Sequence, residues 1–448
     1  MRKLAGSTLT AMFLLSPGVA QADAAAESAQ ARAPNAVTYA AVDEVRVVAL
    51  PTGFSVFWRE DKMRVHNAEI RRDDSSVRQL APCALPALPT NSPNELGYDV
   101  AAKGADYSIV FSSVALGALH RGSGTIGVAC QSAPDASFQS PASGVRLSRD
   151  AESPKAMAFH AAVPTGFTAF VDIEGDDGKH TTIPTRFDGT SGFMTVNPSF
   201  VGGKTALLLV PTSTGLLAQT FDTTLAIAID ANLSPIVQGD VRSAVALPDA
   251  EDGSFRIIYS TARQIFEGHL KNGVLEKVQL ASDVPLVLKG ATLDPGNEAS
   301  PLAFVAEDPD AGRPVFVRPR YVDGKAQPLL ATDLLTLPME GFQGGASIAC
   351  RDKMCVVAQA NNRGRVELAR ISEGKVEPLE SVATTSTSSG GGYGGRGSGP
   401  PNSPTDGAST TSNGCSVHGD GARGGALGVF AAAIASCLVL RRKRHLAR

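Results

Sequence analysis

The chain has 448 residues, 43% hydrophobic and 19% charged, with a formal net charge of -3. That length suffices for one large domain or two medium ones. The charge is divided: residues 1–22 carry +2, residues 415–448 carry +5, and -10 is left on residues 23–414. An acidic body gains nothing from phosphate neutralisation, which argues against nucleic acid or anionic lipid as its partner.

The content of 45 Gly and 28 Pro, with one Trp, favours short strands and turns over long helices. Met1 to Ala22 reads as a secretory signal. Arg2 and Lys3 make a positive start, and Leu4 to Leu15 is an apolar run too short to span a bilayer. Ser16, Pro17 and Gly18 break it, and Ala20-Gln21-Ala22 fits the small-x-small cleavage pattern, so the mature chain is expected to begin at Asp23. Residues 23–36 are rich in Ala and polar side chains and are expected to be disordered.

From residue 37 to 380 one unit recurs: a Gly- or Asp-containing turn, a short apolar strand, a polar turn and an alternating strand. The apolar strands begin around Phe54, Tyr107, Phe167, Ala206, Phe255, Leu302 and Met354, with gaps of 53, 60, 39, 49, 47 and 52 residues. The second segments are Arg64 to Ile70, Ile126 to Cys130, Thr181 to Phe187, Leu216 to Phe221, Gln264 to Leu270, Val315 to Tyr321 and Val366 to Ile371. Gly175-Asp176-Asp177-Gly178, Asp308 to Gly312 and Asn361 to Gly364 supply turn chemistry between them. A unit near 50 residues with about four strands predicts an all-β fold, a seven-bladed β-propeller, with the apolar strand of each copy buried between blades. The pattern resembles the degenerate propeller repeats of bacterial exported proteins. Two β-sandwich domains would give similar strand spacing and stay open as the alternative.

Six cysteines are present, of which Cys415 and Cys437 fall in the C-terminal tail. The other four form an even set for an oxidising compartment. Cys350 and Cys355 are expected to bridge one hairpin of the last blade, leaving Cys83 to pair with Cys130 across a loop worth roughly 3–4 kcal/mol.

Asp172, Glu174, Asp176, Asp177 and Gly178 offer the carboxylate spacing of a calcium loop, but Asp177 stands where an EF-hand wants Gly and Ile183 where it wants Glu. A solvated hairpin turn is the expectation there and at Glu307, Asp308 and Asp310. The sequence holds no nucleophile elbow, zinc-protease helix, P-loop or dinucleotide fingerprint. His66, His120, His160, His180 and His269 lie at no ligand spacing, so no cofactor, metal or catalytic residue is assigned. Were the domain an enzyme, its groups would converge from several blades, and Arg59, Glu60, Arg318, Arg320 and Tyr321 are the first to inspect.

Residues 381–414 are mostly Ser, Thr, Gly, Pro and Asn, a composition that buries no core and reads as a flexible linker. Gly414-Cys415 follows, then the uncharged run 424–440, just long enough for a transmembrane helix, then Arg441, Arg442, Lys443 and Arg444, which by the positive-inside rule place the end in the cytoplasm. With the glycine-flanked approach at Gly425, residues 415–448 resemble the MYXO-CTERM sorting domain of myxobacterial surface proteins. That resemblance implies a myxosortase-type protease, cleavage near Cys415, transfer to the outer surface and lipid attachment at Cys415 as a further step. The helix would then be a transient address in the inner membrane.

The combined expectation is an exported, surface-displayed, non-enzymatic binding or structural protein of the bacterial cell envelope, with signal peptidase, the sorting protease and an unidentified protein or glycan as partners. The alternatives are a propeller-type hydrolase or lyase acting on glycans, and a periplasmic assembly factor anchored permanently by 424–440.

Overall fold

The computed structural model describes residues 42–383, apart from 74–75, 84–95, 114–115, 117–118, 135–141, 150–155, 164–165, 176, 189–198, 230–234, 250–252, 281–284, 341–345 and 362. The signal, the 23–36 segment, the 381–414 linker beyond Ala383, Gly414, Cys415, the 424–440 run and Arg441 to Arg444 lie outside these residues. Among the described residues no helix is long and apolar enough to cross a membrane.

Among the described residues the strands form seven antiparallel blades and one separate two-stranded hairpin; each blade is built from strands consecutive in the chain, except that the hairpin interrupts the sixth. Blade 1 comprises Val42–Leu50, Gly53–Glu60, Arg64–Arg71 and Val77–Gln79. Blade 2 comprises Gly97–Lys103, Asp106–Ser112, His120–Gly124 and Gln131–Pro134, and blade 3 Ala142–Leu147, Ala156–Val163, Gly166–Glu174 and His180–Asp188. Blade 4 has Ser199–Val201, Thr205–Thr212 and Gly215–Asp222, with Ile227–Ala228 and Pro235–Gln238 sharing its outer position. Blade 5 has Ser243–Pro248, Ser254–Ser260, Ile265–Lys271 and Val274–Leu280. Blade 6 has Val287–Leu293, Leu302–Asp308, Arg313–Val317 and Leu334–Thr336, and carries the inserted hairpin Tyr321–Val322/Lys325–Ala326. Blade 7 has Ala346–Arg351, Met354–Ala360 and Arg365–Ser372, flanked by Lys375–Pro378 and Val382–Ala383. The fold is a seven-bladed β-propeller, and the two-sandwich alternative is set aside, because the sheets stack around a ring with one apolar cluster at each of the seven junctions.

Those clusters explain the sequence pattern. The second strand of a blade is buried on both faces, so it prints as a continuous apolar run. In blade 7, Val356 and Ala358 pack with Val56 and Trp58 of blade 1, whereas Cys355 and Val357 pack with Val305 and Phe316 of blade 6. Alternate residues of one strand thus serve two neighbours.

Six of the seven copies read from the sequence fall on these second strands. The third does not: Phe167 lies on the third strand of blade 3, whose second strand is Ala156–Val163. Two adjacent apolar strands compete there for the same pattern. With the true second strands beginning at Gly53, Asp106, Ala156, Thr205, Ser254, Leu302 and Met354, the spacings become 53, 50, 49, 49, 48 and 52, and the irregularity of the sequence period disappears. In blade 2 the expected strand at Ile126 to Cys130 is instead the turn that follows His120–Gly124, and in blade 6 the strand from Arg313 stops at Val317.

Both disulfides form. Cys350 faces Cys355 across the first hairpin of blade 7, whose turn residues Asp352 and Lys353 adopt positive φ of 50° and 68°, as the tightest hairpin turns require. Cys83 joins Cys130, tying the end of blade 1 to blade 2.

Candidate functional site

The first strand of each blade is innermost and precedes the apolar strand that marks the repeat in the sequence. These strands together enclose a central channel of about 130 Å³. Its wall takes Arg46, Asp99, Arg146, Ser199, Lys289 and Ser347 from six different blades. Three of these side chains also bond to the next blade at an equivalent place. Asp99 Oδ2 accepts from Leu147 N–H at 2.8 Å, Ser199 Oγ from Ala246 N–H at 2.9 Å, and Ser347 Oγ from Val47 N–H at 2.9 Å. In each case a channel residue satisfies a backbone donor that the adjoining sheet leaves unpaired. Ser243 adds a fourth link, donating to the Leu288 carbonyl at 2.7 Å.

A charged network fills one side of the channel. Arg46 donates from Nε to Asp99 at 2.8 Å and from a terminal nitrogen to Glu44 at 2.7 Å. Arg146 reaches the same Glu44 oxygen at 3.2 Å, and Arg59 lies 3.4 Å from the other while clasping Asp43 at 2.6 and 2.8 Å. Glu44 sits at a register shift between the first two strands and has φ of 35°, a region that non-glycine residues rarely enter. The bulge swings its carboxylate towards the three guanidiniums. Tyr98, fully buried, donates to the Glu44 carbonyl at 2.6 Å and lies under Arg46.

Burial alone would push the Glu44 and Asp99 carboxyls up, but the guanidiniums outweigh it. Arg46, Arg146 and Arg59 hold Glu44 below its ordinary range, and Arg46, Arg146 and Arg149 do the same for Asp99. Burial lowers the basicity of Arg146 and Arg149, with Glu44 and Asp99 opposing it only in part. The Arg149 side chain lines the channel and makes no hydrogen bond or ion pair among the described residues. Lys289, by contrast, is paired with Glu307 at 2.6 Å.

A second cluster joins blades 5 and 6. Glu267, 2% exposed, has both carboxylate oxygens 2.9 Å from the Tyr321 hydroxyl and one of them 3.1 Å from Arg256. Burial raises its pKa. His269 stands 3.8 Å away and is bound to Asp249 at 2.8 Å, a hydrogen bond that raises the imidazole pKa.

The residues first to be inspected do not converge. Tyr321 joins Glu267 and Arg256 in the second cluster, and Arg59 the channel network. Glu60 pairs with His66 at 2.5 Å. Arg318 joins Asp294 at 2.7 Å beside Cys355, and Arg320 lies near Asp333 at the surface. Asp172 is taken by Arg121, His180 and Thr182, and Asp177 by Lys179, which leaves neither for a cation. Asp176 and the His160 side chain lie outside the described residues. His120 is buried, and burial lowers its pKa. The cluster of Asp294 with Cys350 and Cys355 is no metal site, because both sulfurs are in the disulfide.

Sequence reasoning missed Arg46, Asp99, Arg146 and Arg149. A signal was present for three of them: each is the single charge between apolar neighbours, in Val45-Arg46-Val47, Tyr98-Asp99-Val100 and Val145-Arg146-Leu147. Such a residue is buried and must be paired.

No protein-family model matches the chain, and no curated protein does. Among solved structures it is similar to a mutant Aleuria aurantia lectin in complex with alpha-methyl-L-fucoside, at 11% identity and TM-score 0.41, over 78% of this chain and 97% of that one. It is similar also to the β-propeller domain of the Trilobed protease from Pyrococcus furiosus, at 9% identity and TM-score 0.43, over 76% and 98%. TolB from Acinetobacter baumannii is a third, at 14% identity and TM-score 0.38, over 75% and 79%.

Proposed function

We propose that the protein is an exported, surface-displayed and non-enzymatic binding or structural component of a bacterial cell envelope, and that its ligand, a protein or a glycan, is engaged at the central channel. The export half is supported by the sequence alone. A leader ending at Ala22 calls for signal peptidase, and the Gly414-Cys415, 424–440 and Arg441 to Arg444 pieces resemble a substrate of a myxosortase-type protease. Two disulfides in the folded domain agree with an oxidising compartment.

The observation that carries the binding half is the meeting of Arg46, Arg146 and Arg149 on the channel. Charges on otherwise apolar inner strands contribute little net stability, so their presence calls for another use. The test of the whole reading is the intact mass and membrane fraction of the protein from its native host. A chain from Asp23 to the neighbourhood of Cys415 at the outer surface supports it. A chain that keeps Arg441 to Arg448 in the inner membrane overturns display, and the anchored periplasmic factor takes its place.

A glycan hydrolase or lyase is the second reading. It is favoured by one feature, the buried Glu267 with its raised pKa beside the Asp249–His269 pair. Release of reducing sugar from a polysaccharide panel, lost in Glu267→Gln, would establish it. No release by the native protein would remove it.

A further inference from the structure

We propose that the arginine cluster of the channel is an oxyanion site, in which Arg149 and Arg146 hold a carboxylate, phosphate or sulfate group of the ligand. This rests on the channel being the ligand-binding face.

The argument begins with charge. Four guanidiniums, those of Arg46, Arg59, Arg146 and Arg149, share a network with three carboxylates, those of Asp43, Glu44 and Asp99. Arg46 is fully engaged, with Asp99, Glu44 and the Val45 carbonyl all accepting from it. Arg59 is committed to Asp43 and to the Leu96 carbonyl at 2.7 Å. The remaining positive charge therefore falls on Arg149, on the same inner segment of blade 3 as Arg146. A guanidinium that is half-buried and has no paired carboxylate among the described residues is what a planar oxyanion completes, through paired N–H donors.

Size and field both select a single anionic group. A cavity of about 130 Å³ takes a few waters or one oxyanion group, and falls below the volume usual for drug-sized ligands. The body outside is strongly acidic, with -10 on residues 23–414, so a polyanion is repelled while a single anionic group can reach the cationic interior. The wall also offers the Ser199 hydroxyl proton, since Ser199 Oγ accepts from Ala246 N–H. The carbonyl of Phe200 accepts from the Arg149 backbone N–H at 3.3 Å, which ties the base of this residue to blade 4.

The test is calorimetric titration of the full chain with inorganic phosphate, inorganic sulfate and acetate, with glucose 6-phosphate as a larger carrier of the same group and glucose as the neutral control. Saturable binding of at least one anion and none of glucose is expected. Tighter binding of glucose 6-phosphate than of phosphate would identify the group as part of a larger ligand; the reverse would identify the free ion. Arg149→Gln should weaken binding about tenfold or more, the loss of one charge-assisted contact. Arg149→Lys should recover part of it, which separates the site from a folding defect. The idea is overturned if the native protein binds none of these anions, or if Arg149→Gln binds them as the native protein does. A protein displayed at the surface that binds no anion would refute this site and leave the export reading standing; anion binding by a protein that is never exported would do the opposite.

Discussion

The N–H of Val47 donates to the hydroxyl of Ser347 at 2.9 Å, joining the first and last blades across 300 residues of chain. Among the described residues no strand is exchanged at this seam. Each blade is made of its own consecutive strands, so closure rests on that hydrogen bond and on the apolar cluster in which Trp58, Val56, Val356 and Leu368 meet. Ser347→Ala would leave a buried donor unpaired. A loss of about 1–3 kcal/mol in urea unfolding is expected. A change below about 0.5 kcal/mol would mean that the cluster closes the ring unaided.

Asp99 joins three things at once: the Arg46 guanidinium, the Leu147 N–H and the field of Arg146 and Arg149. Removing its charge leaves Arg46 buried and half-paired, so Asp99→Asn should cost about 3–5 kcal/mol at neutral pH. The pH dependence follows from the direction of the shifts. Asp99 and Glu44 are held below their ordinary values of 3.8 and 4.5, so their contribution is complete above those values and is lost as pH falls through the folded ones. The native protein should therefore lose stability on acidification below about pH 4, and Asp99→Asn should lose less. Equal acid sensitivity of the two proteins would contradict this.

His269 should titrate above its ordinary 6.5, because its hydrogen bond to Asp249 favours the imidazolium over the opposing effect of burial. Its stabilising contribution is therefore present below 6.5 and fades as pH rises through the folded value. Proton NMR of the imidazole will show this. In Asp249→Asn the midpoint should fall to 6.5 or lower; an unchanged midpoint would assign the shift to Glu267 instead.

The two disulfides should differ in worth. Cys83 and Cys130 are separated by 47 residues, Cys350 and Cys355 by 5. On the chain-entropy estimate the double Cys-to-Ser replacement should cost roughly 3–4 kcal/mol for the first pair and about 2 kcal/mol for the second. Equal losses on chemical denaturation would mean that native-state packing, not loop closure, dominates.

How much of this was legible depends on what each strand buries. Met354 to Ala358 and Leu302 to Ala306 could be read because burial on two faces demands apolar residues without interruption. The third copy was misplaced because blade 3 has two such strands in a row, Ala156–Val163 and Gly166–Glu174. The innermost strands, from three residues at Ser199–Val201 to nine at Val42–Leu50, escaped because charged and hydroxyl side chains facing the channel interrupt their apolar residues and leave no continuous run to detect.

The sequence by itself pointed to seven repeat units, the second strand of six of them and both cysteine pairs, since these follow from local runs, turn residues and spacing, but it left one propeller and two sandwiches both open. Only the tertiary structure decided what the channel is made of. Arg46, Asp99 and Arg146 are each about 50 residues apart in the chain, one per repeat, and a repeat cannot say which side chains will face each other once the ring closes. Their charges acquire meaning as a set, through distances of 2.7 to 3.2 Å set by the packing of neighbouring blades and by the bulge at Glu44.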